Sequence, residues 1–304
     1  MADLPPVRIG TRGSKLALWQ ANFLREELER HGRSSTQTVI KTQGDRVQDL
    51  SFDKLEGKGF FTKELEEALL SDEVDVAVHS MKDLPTVGPE GLVLAGVSAR
   101  ANPHDWLLIR KDVAVEGRPW KLADDALVGT SSVRRRAQLL DLRPGLTVRD
   151  LRGNVPTRIR KLREGHYDAI VLAAAGIERL GLDLSDLVTS QLHAREFVPA
   201  PAQGVLAYQC RAADLDTRRL LAKLHHRDTA TCTNVERALL RSFDGGCQLP
   251  LGAHCTRDER GYHLVAAYAP TPDAPLKRAR LSYNTFDGLA TDMLAKLRET
   301  APLP

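Results

Sequence analysis

Three polar residues that could do chemistry, Ser80, Lys82 and Asp83, directly follow a run of alternating valines. The valines predict a buried strand over residues 74–79. Because ligands bind beyond the carboxyl ends of strands in open α/β sheets, these side chains would face a binding site. A carboxylate there can accept hydrogen bonds from N–H donors and stabilise positive charge that develops on them. A solvated turn formed by Lys82 and Asp83 is the alternative interpretation.

Basic residues are concentrated in the middle of the chain. Residues 130–165 contain ten Lys or Arg against three Asp or Glu, which predicts an attractive field for anions. A polar turn over residues 129–132 precedes a predicted helix whose first turn carries Arg134 and Arg135. Backbone N–H groups, hydroxyls and guanidinium groups would then converge on one helix end, as they do in anion sites. A solvated helix face is the alternative.

Two further turns repeat this arrangement of a strand, a polar turn and a helix. Arg12 and Ser14 precede the first predicted helix of the chain, and Arg152 and Asn154 precede a later one. Ser and Asn are common helix caps, so these two residues have a purely structural explanation as well as an anion-binding one.

The hydrophobic pattern predicts two α/β series followed by a smaller α+β unit. The predicted strands cover residues 7–11, 38–42, 74–79, 92–97, 106–109, 126–128, 148–151, 169–173, 205–210, 262–269 and 279–283. The predicted helices cover residues 14–30, 62–70, 133–140, 155–164, 231–242 and 286–298. Residues 101–103 and 197–204 are predicted crossings between domains, and residues 47–59 a mobile loop that could act as a lid.

Composition excludes several classes of protein. A chain of 304 residues with 42% hydrophobic and 27% charged residues is typical of a globular protein with two or three domains. No apolar run is long enough to span a membrane, and the first ten residues lack the pattern of a signal peptide. The four cysteines have neither metal-binding spacing nor a secretory context, so we expect a cytoplasmic protein without structural disulfides or zinc.

The remaining motif surrounds Cys247, which lies in a glycine-rich loop where its sulfur could project outward, although a lone cysteine is usually a small buried residue. With this motif the chain resembles the porphobilinogen deaminase family over essentially its whole length. The resemblance rests on six segments in the same order: Thr11-Arg12-Gly13-Ser14, Gly57-Lys58-Gly59, His79-Ser80-Met81-Lys82-Asp83-Leu84-Pro85, Gly129-Thr130-Ser131-Ser132-Val133-Arg134-Arg135, Leu151-Arg152-Gly153-Asn154-Val155 and Gly245-Gly246-Cys247-Gln248.

The resemblance implies a hydroxymethylbilane synthase, a transferase of heme-type tetrapyrrole biosynthesis. In this family a cysteine, here Cys247, carries a dipyrromethane cofactor through a thioether. Four porphobilinogen molecules are joined to it head to tail with loss of ammonia, and the linear tetrapyrrole is released by hydrolysis. Asp83 matches the catalytic carboxylate, which interacts with pyrrole N–H groups and stabilises cationic intermediates.

The resemblance also implies the binding residues, which are mostly cations because each pyrrole brings acetate and propionate groups. The expected cofactor-binding residues are Cys247, Lys82, Asp83, Thr130, Ser131, Ser132, Arg134, Arg135 and Gly153. The expected substrate-binding residues are Arg12, Ser14, Gln20, Ser80, Arg152, Arg158, Arg179 and Gln203. No metal site is expected.

The fold implied by the resemblance is α/β, with two periplasmic-binding-protein-like domains around a cleft and a small α+β C-terminal domain. Residues 1–102 with 203–221 would form domain 1, residues 103–202 domain 2 and residues 222–304 domain 3, which carries the cysteine. Residues 47–58 correspond to a mobile region over the cleft. The expected partner is porphobilinogen, with no nucleic acid and no membrane, and the expected state is a monomer.

The chain departs from the family at the return crossing, and it ends soon after its last predicted helix. The family usually has Pro-Ala-Val-Gly-Gln-Gly where this chain has Pro199-Ala200-Pro201-Ala202-Gln203-Gly204. The additional proline predicts a stiffer crossing that would alter hinge motion between the domains.

Two alternatives come from other functional classes. Paired α/β domains with an arginine-rich site are also the architecture of non-catalytic solute-binding proteins, although such a protein would not need Asp83 and Cys247 together. The basic stretch could instead bind RNA, but the net charge of only +3 and the 5% aromatic content offer a weak field and few stacking platforms.

Overall fold

The computed structural model describes residues 4–42, 62–243 and 249–299. The chain divides into two compact units, Met1–Ala101 with Gly204–Ala230 and Asn102–Gln203 with Thr231–Pro304. The predicted loop at residues 47–59 and the Gly245-Gly246-Cys247-Gln248 motif lie outside the described residues.

The elements alternate between strands and helices for most of the chain. The strands are β1 Val7–Thr11, β2 Ser35–Val39, β3 Val76–Ser80, β4 Leu92–Val97, β5 Asp105–Arg110, β6 Leu127–Gly129, β7 Thr147–Arg149, β8 Ala169–Ala173, β9 Leu187–Leu192, β10 Leu206–Arg211, β11 Leu251–Asp258, β12 Gly261–Tyr268 and β13 Lys277–Tyr283. The α-helices are α1 Lys15–Arg30, α2 Lys63–Leu70, α3 Val133–Leu142, α4 Val155–Arg163, α5 Ala174–Leu180, α6 Leu215–Lys223, α7 Arg227–Ser242 and α8 Leu289–Glu299.

The first unit contains a five-stranded sheet in the order β2-β1-β3-β10-β4. β1 pairs in parallel with β2 and β3, whereas β10 is antiparallel to β3 and β4. Side chains alternate across β3, so Val76 and Val78 pack with Leu24 of α1, while Ala77 packs on the opposite face with Leu65 and Leu69 of α2. Because both faces are covered by helices, β3 is apolar along most of its length.

The second unit contains a five-stranded sheet in the order β7-β6-β8-β5-β9, in which β5 is antiparallel to both neighbours. Leu107 and Ile109 of β5 belong to one core cluster, and Leu108 belongs to the cluster on the other face with Ile159 of α4. This alternation again places a helix layer on each face of the sheet.

A smaller antiparallel sheet, β11-β12-β13, belongs to the same unit. Its apolar face packs with Leu239 of α7 and with Leu289, Met293 and Leu297 of α8, all of which are fully buried. The last three recur at helical spacing, which explains why the sequence predicts α8 well.

The expected α/β class with a small α+β C-terminal part is confirmed, but some elements were predicted wrongly. The strand predicted at residues 38–42 is instead β2, and β9, β11, α5 and α6 were not predicted. β2 is the polar edge strand Ser-Thr-Gln-Thr-Val, with no residue fully buried, so it has no hydrophobic pattern to detect. The three-domain boundaries stay a prediction.

Ala202 has a left-handed backbone conformation with φ of 62°, which L-residues other than glycine rarely adopt. It is fully buried, and its N–H donates a 2.6 Å hydrogen bond to Oε2 of Glu236, itself fully buried in α7. The resemblance given above implies a glycine at this position. The hydrogen bond to this buried carboxyl group therefore helps to hold a conformation that the side chain disfavours.

We expect Ala202→Gly to leave the free energy of unfolding within about 0.5 kcal/mol of the parent, because relief of left-handed strain offsets the lost methyl burial and the greater freedom of the unfolded chain. Ala207→Gly is the matched control, since Ala207 is equally buried in β10. There nothing offsets the loss, and the cost should be about 1.5 kcal/mol. Urea unfolding measures both, and equal costs would show that Ala202 is unstrained.

Candidate active site

Asp83 lies just beyond the carboxyl end of β3, as the sequence predicts. β3 ends at Ser80, and a single 3₁₀ turn, Met81–Asp83, follows it. Met81 and Leu84 are buried, and the Met81 N–H donates to the Val205 carbonyl at 2.9 Å. This anchoring fixes the turn, so Lys82 is left half-buried and Asp83 exposed to solvent.

Gln20 and Ser80 contact each other in the first unit. Gln20 is buried on α1, and its Nε2 donates to Ser80 Oγ at 2.8 Å. Ser14 caps α1, because its Oγ accepts from the Ala17 N–H at 3.2 Å. Arg12 lies half-buried in the turn before the cap. Gln20 is thus held beside the end of β3.

A buried histidine precedes Ser80, and sequence reasoning missed its environment. His79 Nε2 donates to Gln209 Oε1 at 3.0 Å, and Gln209 Nε2 donates to Glu66 Oε1 at 3.2 Å. Burial lowers the pKa of His79 to about 4, the Gln209 hydrogen bond opposes this, and the charge of Arg12 lowers the pKa further. His79 is therefore neutral at neutral pH and adds no cation to the Asp83 turn.

In the second unit the Thr130-Ser131-Ser132 turn is built by hydrogen bonds to its own hydroxyls. Ser131 Oγ donates to the Leu151 carbonyl at 2.9 Å and accepts from the Leu151 N–H at 3.0 Å. Thr130 Oγ1 accepts from the Ser132 N–H at 3.2 Å, and Ser132 caps α3 by accepting from the Arg135 N–H. The hydroxyls thus shape the turn and direct the start of α3.

Arg134 and Arg135 are not a solvated helix face, because both are buried and share one fully buried carboxylate, Asp105. Arg134 Nη1 lies 2.9 Å from Asp105 Oδ2, and Arg135 Nη2 lies 2.7 Å from Oδ1. Their guanidinium groups also donate to the carbonyls of Val198 and Val171, at 2.8 and 2.9 Å. Sequence reasoning did not single out Asp105.

The Arg152-Gly153-Asn154 turn precedes α4, which Asn154 caps by accepting from the Thr157 N–H at 3.0 Å. Arg158 Nε donates to the Gly153 carbonyl at 2.6 Å, and Lys161 Nζ to the Arg152 carbonyl at 3.3 Å. Three cations therefore gather at one helix end, which is favourable for binding carboxylates.

Two other expected substrate-binding residues lie elsewhere in the second unit. Arg179 is half-buried in α5. Gln203 is fully buried, and its Nε2 donates to the Pro103 carbonyl at 2.8 Å and to Asp105 Oδ1 at 3.0 Å. Gln203 therefore belongs, with Arg134 and Arg135, to the set of buried side chains around Asp105, which we call the Asp105 group.

The Asp105 group fits a carboxylate-bearing cofactor. Two guanidinium groups face one carboxylate, which leaves an excess positive charge. In the described part of the chain, Arg135 Nε is also buried without a hydrogen-bond acceptor. Both features suit an anion as a further ligand. Cys247, the expected attachment point, lies outside the described residues, which contain neither a metal-binding cluster nor a helix able to span a membrane.

Comparisons with known proteins agree with a cofactor-dependent transferase. A family model described as "Porphobilinogen deaminase, dipyromethane cofactor binding domain" matches residues 7–219, and its C-terminal domain model matches residues 230–267. The porphobilinogen deaminase of Trichlorobacter lovleyi is 45% identical over 96% of this chain and 92% of its own. That of Pelobacter propionicus is 48% identical over 92% and 89%. The chain belongs to the porphobilinogen deaminase family, whose cofactor is dipyrromethane and whose activity is that of hydroxymethylbilane synthase.

Solved structures similar to this chain are distant in sequence. The BvgS periplasmic VFT2 domain of Bordetella pertussis is 17% identical, with a TM-score of 0.43 over 74% of this chain and 88% of its own. The ancestral cationic amino acid solute binding protein AncCDT-1 is 14% identical, with a TM-score of 0.42 over 72% and 87%.

Gly153 has a φ of 109°, and a Cβ there would lie 2.7 Å from Thr157 Cγ2. We expect Gly153→Ala to cost about 3 kcal/mol of unfolding free energy, from backbone strain together with the clash. Gly117→Ala is the control, because Gly117 has a φ of 79° in open space. Strain alone should cost about 1 kcal/mol there.

Urea unfolding measures both costs, and adding Thr157→Ser to Gly153→Ala removes the clashing methyl group. Recovery of part of the loss is expected. Equal costs at the two glycines would show that the approach of Thr157 places no constraint on the turn.

Proposed function

We propose that this chain joins porphobilinogen units with Asp83 as the catalytic carboxylate and Cys247 as the attachment point of dipyrromethane. The observation that carries the proposal is the fixed turn that presents Asp83 beyond β3, in a chain that matches the family's cofactor-binding domain over residues 7–219. An ionised carboxylate there can accept hydrogen bonds from pyrrole N–H groups and offset positive charge as ammonia leaves.

The residues proposed to hold the cofactor are Lys82, Asp83, Thr130, Ser131, Ser132, Arg134, Arg135 and Gly153, with the covalent bond at Cys247. When bound, the dipyrromethane supplies the terminal pyrrole to which the first substrate unit is joined. Lys82 and the two arginines bind carboxylates through charge-assisted hydrogen bonds. The Thr130 and Ser132 oxygens accept N–H hydrogen bonds that shape the turn and the start of α3, and this use leaves each O–H able to donate to a carboxylate. Ser131 donates its own proton to the Leu151 carbonyl, so its contribution is to hold the turn in shape.

The residues proposed to bind substrate and the growing chain are Arg12, Ser14, Gln20, Ser80, Arg152, Arg158, Arg179 and Gln203. The arginines suit the acetate and propionate groups of each pyrrole, because a guanidinium group can bind a carboxylate through two hydrogen bonds. Ser80 and Gln20 already contact each other and form one polar group beside the Asp83 turn. Ser14 acts through the cap that orients the first turn of α1.

We further propose three domains with the boundaries predicted from the sequence, and a monomer that acts in the cytoplasm. Cys210, Cys232 and Cys255 are buried thiols that form no disulfide in the described part of the chain, which agrees with a reducing compartment. Sedimentation equilibrium measures the oligomeric state, and a dimer at micromolar concentration would contradict the monomer.

We expect Asp83→Asn to retain the fold but to lose turnover by a factor on the order of 10²–10³, because the shape is kept while the countercharge is removed. The rate of porphobilinogen consumption measures this loss, and circular dichroism checks the fold. The matched control is Asp72→Asn, since Asp72 is an exposed carboxylate of the same unit. It should keep near-normal turnover, and equal activity of both variants would remove Asp83 from the catalytic role.

The attachment at Cys247 is tested by the intact mass of the purified protein before and after incubation with porphobilinogen. We expect an added mass equal to two linked pyrrole units in the parent and none in Cys247→Ala. Cys255→Ala, which changes another cysteine of the C-terminal region, should keep the added mass. A parent that stays at the bare-chain mass in both conditions would overturn the proposed function.

A further inference from the structure

The Asp105 group contains two positive charges and one negative charge, and all three are buried, where a charge is costly. The Asp105 carboxylate is fully buried, and it lies within 3 Å of both Arg134 and Arg135, each of which is nine-tenths or more buried. One negative charge therefore serves two positive charges. A buried charge without a partner is strongly destabilising, so an excess cation at this depth needs an explanation.

The electrostatics of the three side chains show both attraction and repulsion. Burial lowers the pKa of Arg134, Asp105 raises it, and the charge of Arg135 lowers it again. Burial acts to raise the pKa of Asp105, but the two guanidinium groups more than offset this and hold the pKa below its usual value. Asp105 is therefore ionised at neutral pH, and the two arginines repel each other across it.

Within the described ranges of the chain, the surroundings fix these groups without neutralising the excess charge. Gln203 Nε2 donates to Asp105 Oδ1 at 3.0 Å, and the arginines donate to the carbonyls of Val171 and Val198. All of these partners are uncharged. The pKa of the neighbouring His104 is lowered, mainly by burial. This side chain therefore adds no cation at neutral pH. Arg135 Nε still has no acceptor among the residues that the structure describes.

We propose that Asp105 is the internal counterion that allows Arg134 and Arg135 to be buried before the cofactor binds, and that one cofactor carboxylate is their second counterion. Asp105 is a positioning residue that acts through the arginines. The two buried arginines need two negative charges. Asp105 supplies one of them before the cofactor binds, and a carboxylate of the cofactor supplies the second. The second part of this inference rests on the proposed function, since it takes the bound carboxylate to be that of dipyrromethane.

The internal counterion is tested in the unloaded Cys247→Ala protein, with melting temperature (Tm) as the readout. Adding Asp105→Asn leaves two buried cations without a partner, and we expect the Tm to fall by about 10 °C. Adding Arg135→Met to that variant restores the original excess of one charge and should recover at least half of the fall. If Asp105 were merely structural, the fall in Tm of the doubly substituted protein would equal the sum of the falls caused by Asp105→Asn and Arg135→Met alone. That result would overturn the inference.

The same comparison decides the case in which Asp105→Asn does not fold. Folding of the protein with both Asp105→Asn and Arg135→Met would then support the inference, because removal of a cation would have restored the fold. Failure of both to fold would overturn it. This test uses no cofactor, so its result is independent of whether Cys247 carries one.

The cofactor carboxylate is tested by the gain in Tm on loading, which is the Tm of protein loaded at Cys247 minus that of its Cys247→Ala counterpart. Arg135→Met leaves Asp105 and Arg134 as a neutral pair that needs no second anion. We therefore expect the gain in Tm on loading to shrink by at least half. Arg136→Met is the control, because Arg136 is half-exposed and pairs with exposed Asp273. Its gain should equal that of the parent.

An unchanged gain in Arg135→Met would overturn the second half of the inference, even where intact mass shows full loading and the proposed function stands. A parent that never gains mass would instead defeat the proposed function. In that case the Asp105 and Arg135 comparison in unloaded protein still supports or overturns the internal counterion.

Discussion

The second unit depends on one buried carboxylate. Asp105 opens β5, its two arginine partners belong to α3, and Gln203 belongs to the segment that follows Val198. The arginines extend these contacts to the carbonyls of β8 and of residue 198. Removing one partner from such a group leaves an uncompensated buried charge, which typically costs about 3–5 kcal/mol. A well-packed apolar core would avoid this risk, so stability alone does not explain the arginines, whereas the proposed carboxylate ligand would.

Three turns of this chain are built in the same way. Each leads from a strand into a helix, and in each a Ser or Asn side chain caps the helix: Ser14 for α1, Ser132 for α3 and Asn154 for α4. Capping uses the side-chain oxygen as an acceptor, and it leaves the Ser O–H and the Asn amide N–H able to donate to a carboxylate. In the proposed function, the neighbouring arginines and the N–H groups at the helix end bind the ligand beside these caps. A capping residue can therefore build the helix end and take part in a binding site at the same time.

Much of the fold could be predicted from the sequence, because the central strands carry the apolar pattern of a sheet covered on both faces. β1 and β8, which are both internal strands of their sheets, have the predicted bounds. Asp105 could not be predicted, since its partners lie about thirty positions away and only the fold brings them together. One signal was present: an acidic residue opens an apolar strand in a chain whose nearest arginine run has few acidic neighbours.

The departure of the return crossing from the family pattern occurs where buried hydrogen bonds hold the chain. The Glu236 carboxyl group accepts hydrogen bonds from the Ala202 N–H at 2.6 Å and from the Cys255 N–H at 2.7 Å. Gln203, which follows Ala202 in the chain, donates from its side chain to Asp105. Two buried carboxylates thus fix two consecutive residues, one through the backbone and one through a side chain. Strain persists in a protein only where the surroundings over-determine the conformation. Because Ala202 meets that condition, its methyl group is tolerated in a left-handed conformation, and the path that brings Gln203 to Asp105 is kept.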